Sequence, residues 1–254
     1  MSNSENLIAN SEALNDFEAS IKATFHLINA LEFNVAATRI LIKERYDETK
    51  ASPEEKKLKK SMDLDQNDEM KLYEVGFIAL FANFESFMYS LLKEFLSRYP
   101  LSIPKDKTIK IEEILTHDNI DELKKHIIDR VAIENSYEVL LWKDFLSRNY
   151  SIDIMLNSSF LKRIKMLNLL RNAYMHSGGK TNSKFSREMG IFLEAKIPLD
   201  ERISLDRKKY FHSLYNLLTE LIASTRARGI SKQRKLRRKS RDGNRGTHAI
   251  TRTS

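Results

Sequence analysis

Between Ser11 and Glu44, the apolar residues Leu14, Phe17, Ile21, Ile28, Leu31 and Val35 recur at steps of three, four and seven. That spacing gathers them on one stripe of a long amphipathic helix. The charged connector DETKASPEEKKLKKSMDLDQNDEM follows, with room for a short helix around Glu54 to Met62. The next pattern is denser. From about Glu69 to Arg98, stopped by Pro100, the positions Phe77, Leu80, Phe81, Phe84, Phe87, Met88, Leu91, Leu92 and Phe95 predict a second helix. Its buried face is broad enough to form the centre of the core. Glu85, inside NFESF, is expected at the solvated edge of that face, with a half-buried place among the phenylalanines as the alternative.

Residues 101 to 157 are patterned more weakly: short helices near 110 to 117 and 119 to 130, then one near 134 to 148 carrying Tyr137, Leu140, Leu141 and Phe145. Trp142 belongs to the core or its rim. Ser158 and Ser159 are good N-cap residues for a third main helix running through Ile164, Leu167 and Leu170 into Arg171. Gly178 and Gly179 supply the left-handed conformation that ends it, so His176 falls in its last turn. The stretch GIFLEAKIPLDERISL reads as a loop with a short extended pair. Asp206 caps a last helix that turns Phe211, Leu214, Leu217, Leu218, Leu221 and Ile222 inward and stops at Gly229. The predicted architecture is an all-α bundle of four main helices with a helical insert. It spans residues 11–226, between a disordered start, 1–10, and a disordered basic tail, 227–254.

Composition agrees with helices. Seven glycines and four prolines in 254 residues are too few for the many tight turns of a sandwich or barrel. Cysteine is absent, which removes disulfides and thiolate metal sites. The polar, acidic N-terminus lacks the form of a signal peptide, and no stretch is read as approaching the ~18 apolar residues of a membrane span, so a soluble cytoplasmic protein without a membrane partner is expected. The distribution of charge says more. Of the net +8, the segment from Arg226 to the end carries +10, while the rest of the chain is at −2. So concentrated a polycation points to nucleic acid as its partner, through Arg234, Lys235, Arg237, Arg238 and Lys239. A solubilising tail is the bland alternative.

The candidate chemistry lies in LLRNAYMHSGGK, residues 169 to 180. Arg171 and His176 are separated by ~140° around a helix and ~7.5 Å along it. Asn172 and His176, four apart, share a face, and Arg171 reaches that face from its edge. The carbonyl end of a helix favours a cationic side chain. The same Arg-x4-His spacing recurs as RKKYFH, Arg207 to His212, but there it opens a continuing helix, and a structural role is expected. His26, His117, His126 and His248 form no cluster with metal-ligand spacing, and neither metal nor cofactor is expected. DLDQNDEMKLYE, residues 63 to 74, has acids where a calcium loop needs them, yet Asp68 stands where that loop requires glycine. An acidic connector whose Asp68 caps the second helix is the better reading.

With RNAYMH at the end of the third main helix, and FANFESFMYSLLKEF in the second, the chain resembles the HEPN superfamily over roughly residues 11 to 226. The resemblance implies a small helical bundle acting as a metal-independent endoribonuclease in bacterial toxin and antiviral defence systems. It implies a homodimer that turns two motifs onto one RNA strand, and a protein antitoxin or inhibitor as a further partner. Carried onto this chain, His176 would be the general base or acid, Arg171 would stabilise charge on the phosphate, and Asn172 would orient them. Lys180, directly after the two glycines, is a candidate RNA contact in its own right. In the branch silenced by nucleotide transfer, a tyrosine stands two residues after the histidine. Here that position is Gly178, and Tyr174 lies on the wrong side of the motif. The competing class is a catalytically idle module that binds RNA or nucleotide or serves as a scaffold; a DNA reader is disfavoured, since no helix-turn-helix pattern is present.

Overall fold

The computed structural model describes residues 8–46, 50–62, 66–103, 108–150, 152, 154, 157–194, 196–203 and 206–246, with the backbone alone for 43, 58, 61, 62, 66–70 and 228–246. The fold is all-α. Its helices are α1 (Glu12–Arg45), α2 (Pro53–Met62), α3 (Gln66–Arg98), α4 (Ile111–Leu115), α5 (Ile120–Ser136), α6 (Val139–Tyr150), α7 (Ser158–Ser177), α8 (Ser183–Leu193) and α9 (Arg207–Gly246). One isolated antiparallel bridge, between Lys180 and Arg202, is the extended pairing among the described residues.

The chain divides into two compact units. The first comprises 1–18, 85–156 and 219–254. Phe17 stacks on Phe87 at 4.5 Å between ring centroids, and Phe87 meets the fully buried Trp142 edge-on at 5.7 Å. Tyr150 packs on Phe95, and its hydroxyl shares a 2.6 Å hydrogen bond with that of Ser102. At the rim of this unit, Lys93 pairs with Asp129 at 2.7 Å and Arg130 with Glu113 at 2.6 Å. The second unit comprises 19–84 and 157–218. Its centre is aromatic: Phe25 stacks on Tyr215 at 3.9 Å and on Phe211 at 5.6 Å, and Tyr73 leans on Phe211. Gly76 of α3 admits the close approach, since a Cβ there would lie 2.7 Å from Ile28 Cγ1 and 2.9 Å from Phe211 Cε2.

Every inward position predicted for α3 and α9 is buried. Several other expectations need correction. Burial along α1 stops at Ile28; Leu31 is 40% exposed, Val35 is half-buried, and Phe33 is 71% exposed. The period of a stripe marks a face and does not say how far along a neighbour covers it. Glu85 is half-buried rather than at a solvated edge. Residues 8–10 are ordered: Ile8 is buried, the Ser11 hydroxyl donates to its carbonyl, and the same oxygen caps α1 by accepting from Leu14 N. The single helix expected at 134 to 148 is broken at Tyr137 and Glu138, which separate α5 from α6. A helix, α8, occupies part of the stretch read as a loop: Asn182 caps it, and Phe185 and Met189, four apart, are buried. Asn157 rather than Ser158 or Ser159 caps α7, accepting from Phe160 N at 2.7 Å.

Two corrections bear on chemistry. α3 begins at Gln66, so 66–74 are helical, Asp68 lies within the helix instead of capping it, and these residues cannot wrap an ion as a calcium loop does; residues 63–65 lie outside the described residues. α9 does not stop at Gly229 and continues to Gly246, so much of the segment expected to be disordered has a helical backbone. Lysine and arginine are strong helix formers, and one glycine costs a helix only about 1 kcal/mol. Residues 247–254, with His248, lie outside the described residues. By length and composition, Lys71–Arg98 is apolar and long enough to cross a membrane, against the expectation, although half of its most apolar window is buried inside the protein.

Candidate functional site

Helix α7 carries the motif, and both of its ends are fixed locally. Asn157 holds the N-terminus; Phe160, Ile164, Leu167, Leu170, Ala173 and Tyr174 bury one side at helical spacing. At the C-terminus Gly178 takes φ 57° and Gly179 φ 76°, and Gly179 N–H donates to Ala173 O six residues back at 3.0 Å. Gly178 N–H turns to the same carbonyl, so both left-handed glycines donate to Ala173 O and close the helix end. Gly179 lies against the Tyr174 ring; a Cβ there would sit 3.3 Å from Tyr174 Cδ1. The end of the helix is therefore a fixed point rather than a fraying one.

Within this frame, Arg171 and Asn172 come together. Arg171 Nη1 donates to Asn172 Oδ1 at 3.0 Å, both side chains are half-buried, and the guanidinium lies 6.0 Å from the centroid of Phe81 on α3. At that distance the ring face attracts the cation. His176, one turn beyond Asn172, is exposed, as is Met175 beside it. The helix thus offers an anchored guanidinium and an open imidazole at one end.

The second Arg-x4-His sits differently. Arg207 is 6% exposed, with Nη1 3.4 Å from Glu74 Oε2 and its guanidinium 5.8 Å from the centre of the Tyr174 ring. Burial pushes the Tyr174 hydroxyl above the ordinary tyrosine range, while the Arg207 charge pulls the other way. His212 is half-buried and meets Phe25 and Phe211 edge-on, each at 5.4 Å. These contacts are those of a packed structural pair, and Arg207 supports the motif helix from behind through Tyr174.

Sequence alone did not single out Arg202. After α7 the chain turns through Lys180 and Thr181, which pair with the segment before α9: Ile203 N donates to Gly179 O at 2.8 Å, Thr181 N to Glu201 O at 2.9 Å, and Asp200 N to Thr181 O at 2.9 Å. Lys180 and Arg202 face each other across this clasp, and both are exposed. The one hint lay in the extended pair expected between Gly190 and Leu205; its partner strand could not be read, because α8 intervenes between the paired residues. Arg234, Lys235, Arg237, Arg238 and Lys239 belong, by their backbone, to α9. Comparison with protein-family models, with curated proteins and with solved structures finds no match.

Proposed function

We propose that this chain is a metal-independent endoribonuclease of the HEPN type, working in the cytoplasm as a homodimer and serving as a toxin or antiviral effector. The observation that carries the reading is the end of α7, where Asn172 and Phe81 hold Arg171 and His176 stands exposed one turn on. In the reaction, the 2′-oxygen of a ribose bonds to the adjacent phosphorus while its proton passes to the imidazole of His176. The bond from phosphorus to the 5′-oxygen breaks, and the imidazolium of the partner's His176 gives that oxygen its proton. A 2′,3′-cyclic phosphate and a 5′-hydroxyl remain. Arg171 meets the negative charge that gathers on the non-bridging oxygens. Base and acid are both needed, and each protomer offers one such histidine, which is the reason for pairing.

The test is direct. Purified protein incubated with RNA in EDTA should leave cyclic-phosphate ends, and His176→Ala should slow cutting by about 10² to 10⁴-fold while RNA binding stays close to the parent's. A variant that cuts as fast as the parent sinks the assignment. The second reading, an idle RNA-binding or scaffold module, has in its favour the +10 carried from Arg226 to the end, which serves binding without cleavage. Binding without any cutting by the parent would select it.

A further inference from the structure

The clasp that follows α7 carries a feature with a cost. In an antiparallel pair, residues directly opposite each other project from the same face, with Cβ atoms about 5 Å apart, and like charges so placed repel. Lys180 and Arg202 are such a pair. Alternation fixes which face they take: Thr181 and Ile203, their neighbours along the chain, are buried at 5% and 6% exposure, so Lys180 and Arg202 point to solvent. The same alternation puts Glu201 on the opposite face from Arg202. Among the described residues neither cation is held in an ion pair.

The backbone gives the pair little freedom to spread apart. The Thr181 hydroxyl donates to Pro198 O at 2.7 Å and accepts from Glu201 N at 3.1 Å, reinforcing the three backbone bonds of the clasp. Gly179 links this clasp to the helix end, since its N–H closes α7 and its carbonyl receives Ile203 N–H. Two cations held close on a rigid exposed face are stabilised by an anion seated between them. Lys180 is four residues beyond His176, at most ~14 Å along the chain.

We propose that Lys180 and Arg202 form a clamp for one backbone phosphate of RNA, next to the linkage at His176. The substrate class rests on the ribonuclease reading; the site itself rests on the opposed pair. The clamp positions the strand and reads no base, as phosphate contacts do.

The experiment uses the full chain bearing His176→Ala, so that RNA stays intact, and follows the anisotropy of a short labelled single-stranded RNA across a salt series. Lys180→Gln with Arg202→Gln should weaken binding roughly 10-fold and reduce the slope of log K against log salt by about 0.7, the value for one phosphate on a single strand. Lys180→Glu alone replaces the repelling pair with an attracting one, so the clasp keeps or gains thermal stability, while RNA binding should fall as far. Lys196→Gln, another exposed cation, should leave the slope at the parent value. An unchanged slope in both clamp variants overturns the inference, as does a chain that binds no RNA. Cutting by the parent is scored on the same RNA: cleavage with an unchanged slope removes the clamp alone, whereas a reduced slope without cleavage keeps the clamp and removes the ribonuclease.

Discussion

In the proposed reaction Arg171 and Asn172 form one working unit, because a guanidinium on a flexible stem is useful only where it is held. The 3.0 Å bond to Asn172 and the Phe81 ring beneath supply that hold. Asn172→Ala keeps the charge and frees the stem; kcat should fall about 10²-fold with KM little altered, the scale on which misplacing a reacting group costs an enzyme. Arg171→Lys should lose a similar factor, since an ammonium lacks the planar fork. Steady-state kinetics on one RNA separate the two terms, and parental kcat in Asn172→Ala would leave the bond without a role. Tyr73 makes a different residue-scale prediction. Burial, then the nearby Glu32 carboxylate, push its hydroxyl up to about 12 from 10.0. A raised value means that the folded state keeps the proton longer than the unfolded chain. The stabilisation is complete below about 10 and is lost as pH climbs through about 12. The melting temperature of Tyr73→Phe should therefore fall less steeply than the parent's across that window. At this scale the motif was legible, because Arg171, Asn172 and His176 are neighbours on one helix. The shelf under Arg171 was not, since Phe81 comes from α3 and periodicity names faces without matching them.

At the scale of elements, two glycines carry opposite constraints. Gly178 needs φ 57° and has open space around it, so Gly178→Ala strains only the backbone, by about 1–2 kcal/mol. Gly76 has an ordinary helical backbone but no room. Its alanine variant drives a methyl into Ile28 and Phe211 and should cost about 1–3 kcal/mol, unless those side chains shift. Urea midpoints of the two variants test both figures, and a Gly76→Ala protein as stable as its parent would show that α1 and α9 yield there. The first glycine was legible from its place after a helical run; the second could not be, because its reason is a contact. The same limit explains α8. Phe185 and Met189 stand four apart behind Asn182, a helical signal, but Gly190 and the following apolar run resemble a strand. Burial of those two side chains decides for helix, and the resulting turn brings Arg202 opposite Lys180.

For the whole molecule, charge and the proposed self-association set what the proposed site can do. Of the +10 concentrated from Arg226 onward, +9 lies on a helix backbone that runs to Gly246, where like charges four apart in sequence, such as Arg234 and Arg238, work against helix formation. Bound polyanion relieves that repulsion. Deleting residues 230–254 should therefore weaken RNA binding, flatten its salt dependence and remove part of the far-ultraviolet helix signal. Binding unaltered by the deletion would reduce the segment to a solubility device. Pairing of chains leaves no comparable trace in the sequence, because an interface between helical proteins draws on the same apolar residue types as a core. The proposed mechanism nevertheless depends on it: one exposed His176 can take a proton or give one, while cleavage requires both acts across a single linkage. Light scattering at assay concentration should report twice the 29.6 kDa of one chain. Mixing His176→Ala protein with parent then tests the composite site itself. If exchange forms dimers with one imidazole, activity per parent chain should fall as the variant is added; activity that stays constant would mean that each chain cuts alone.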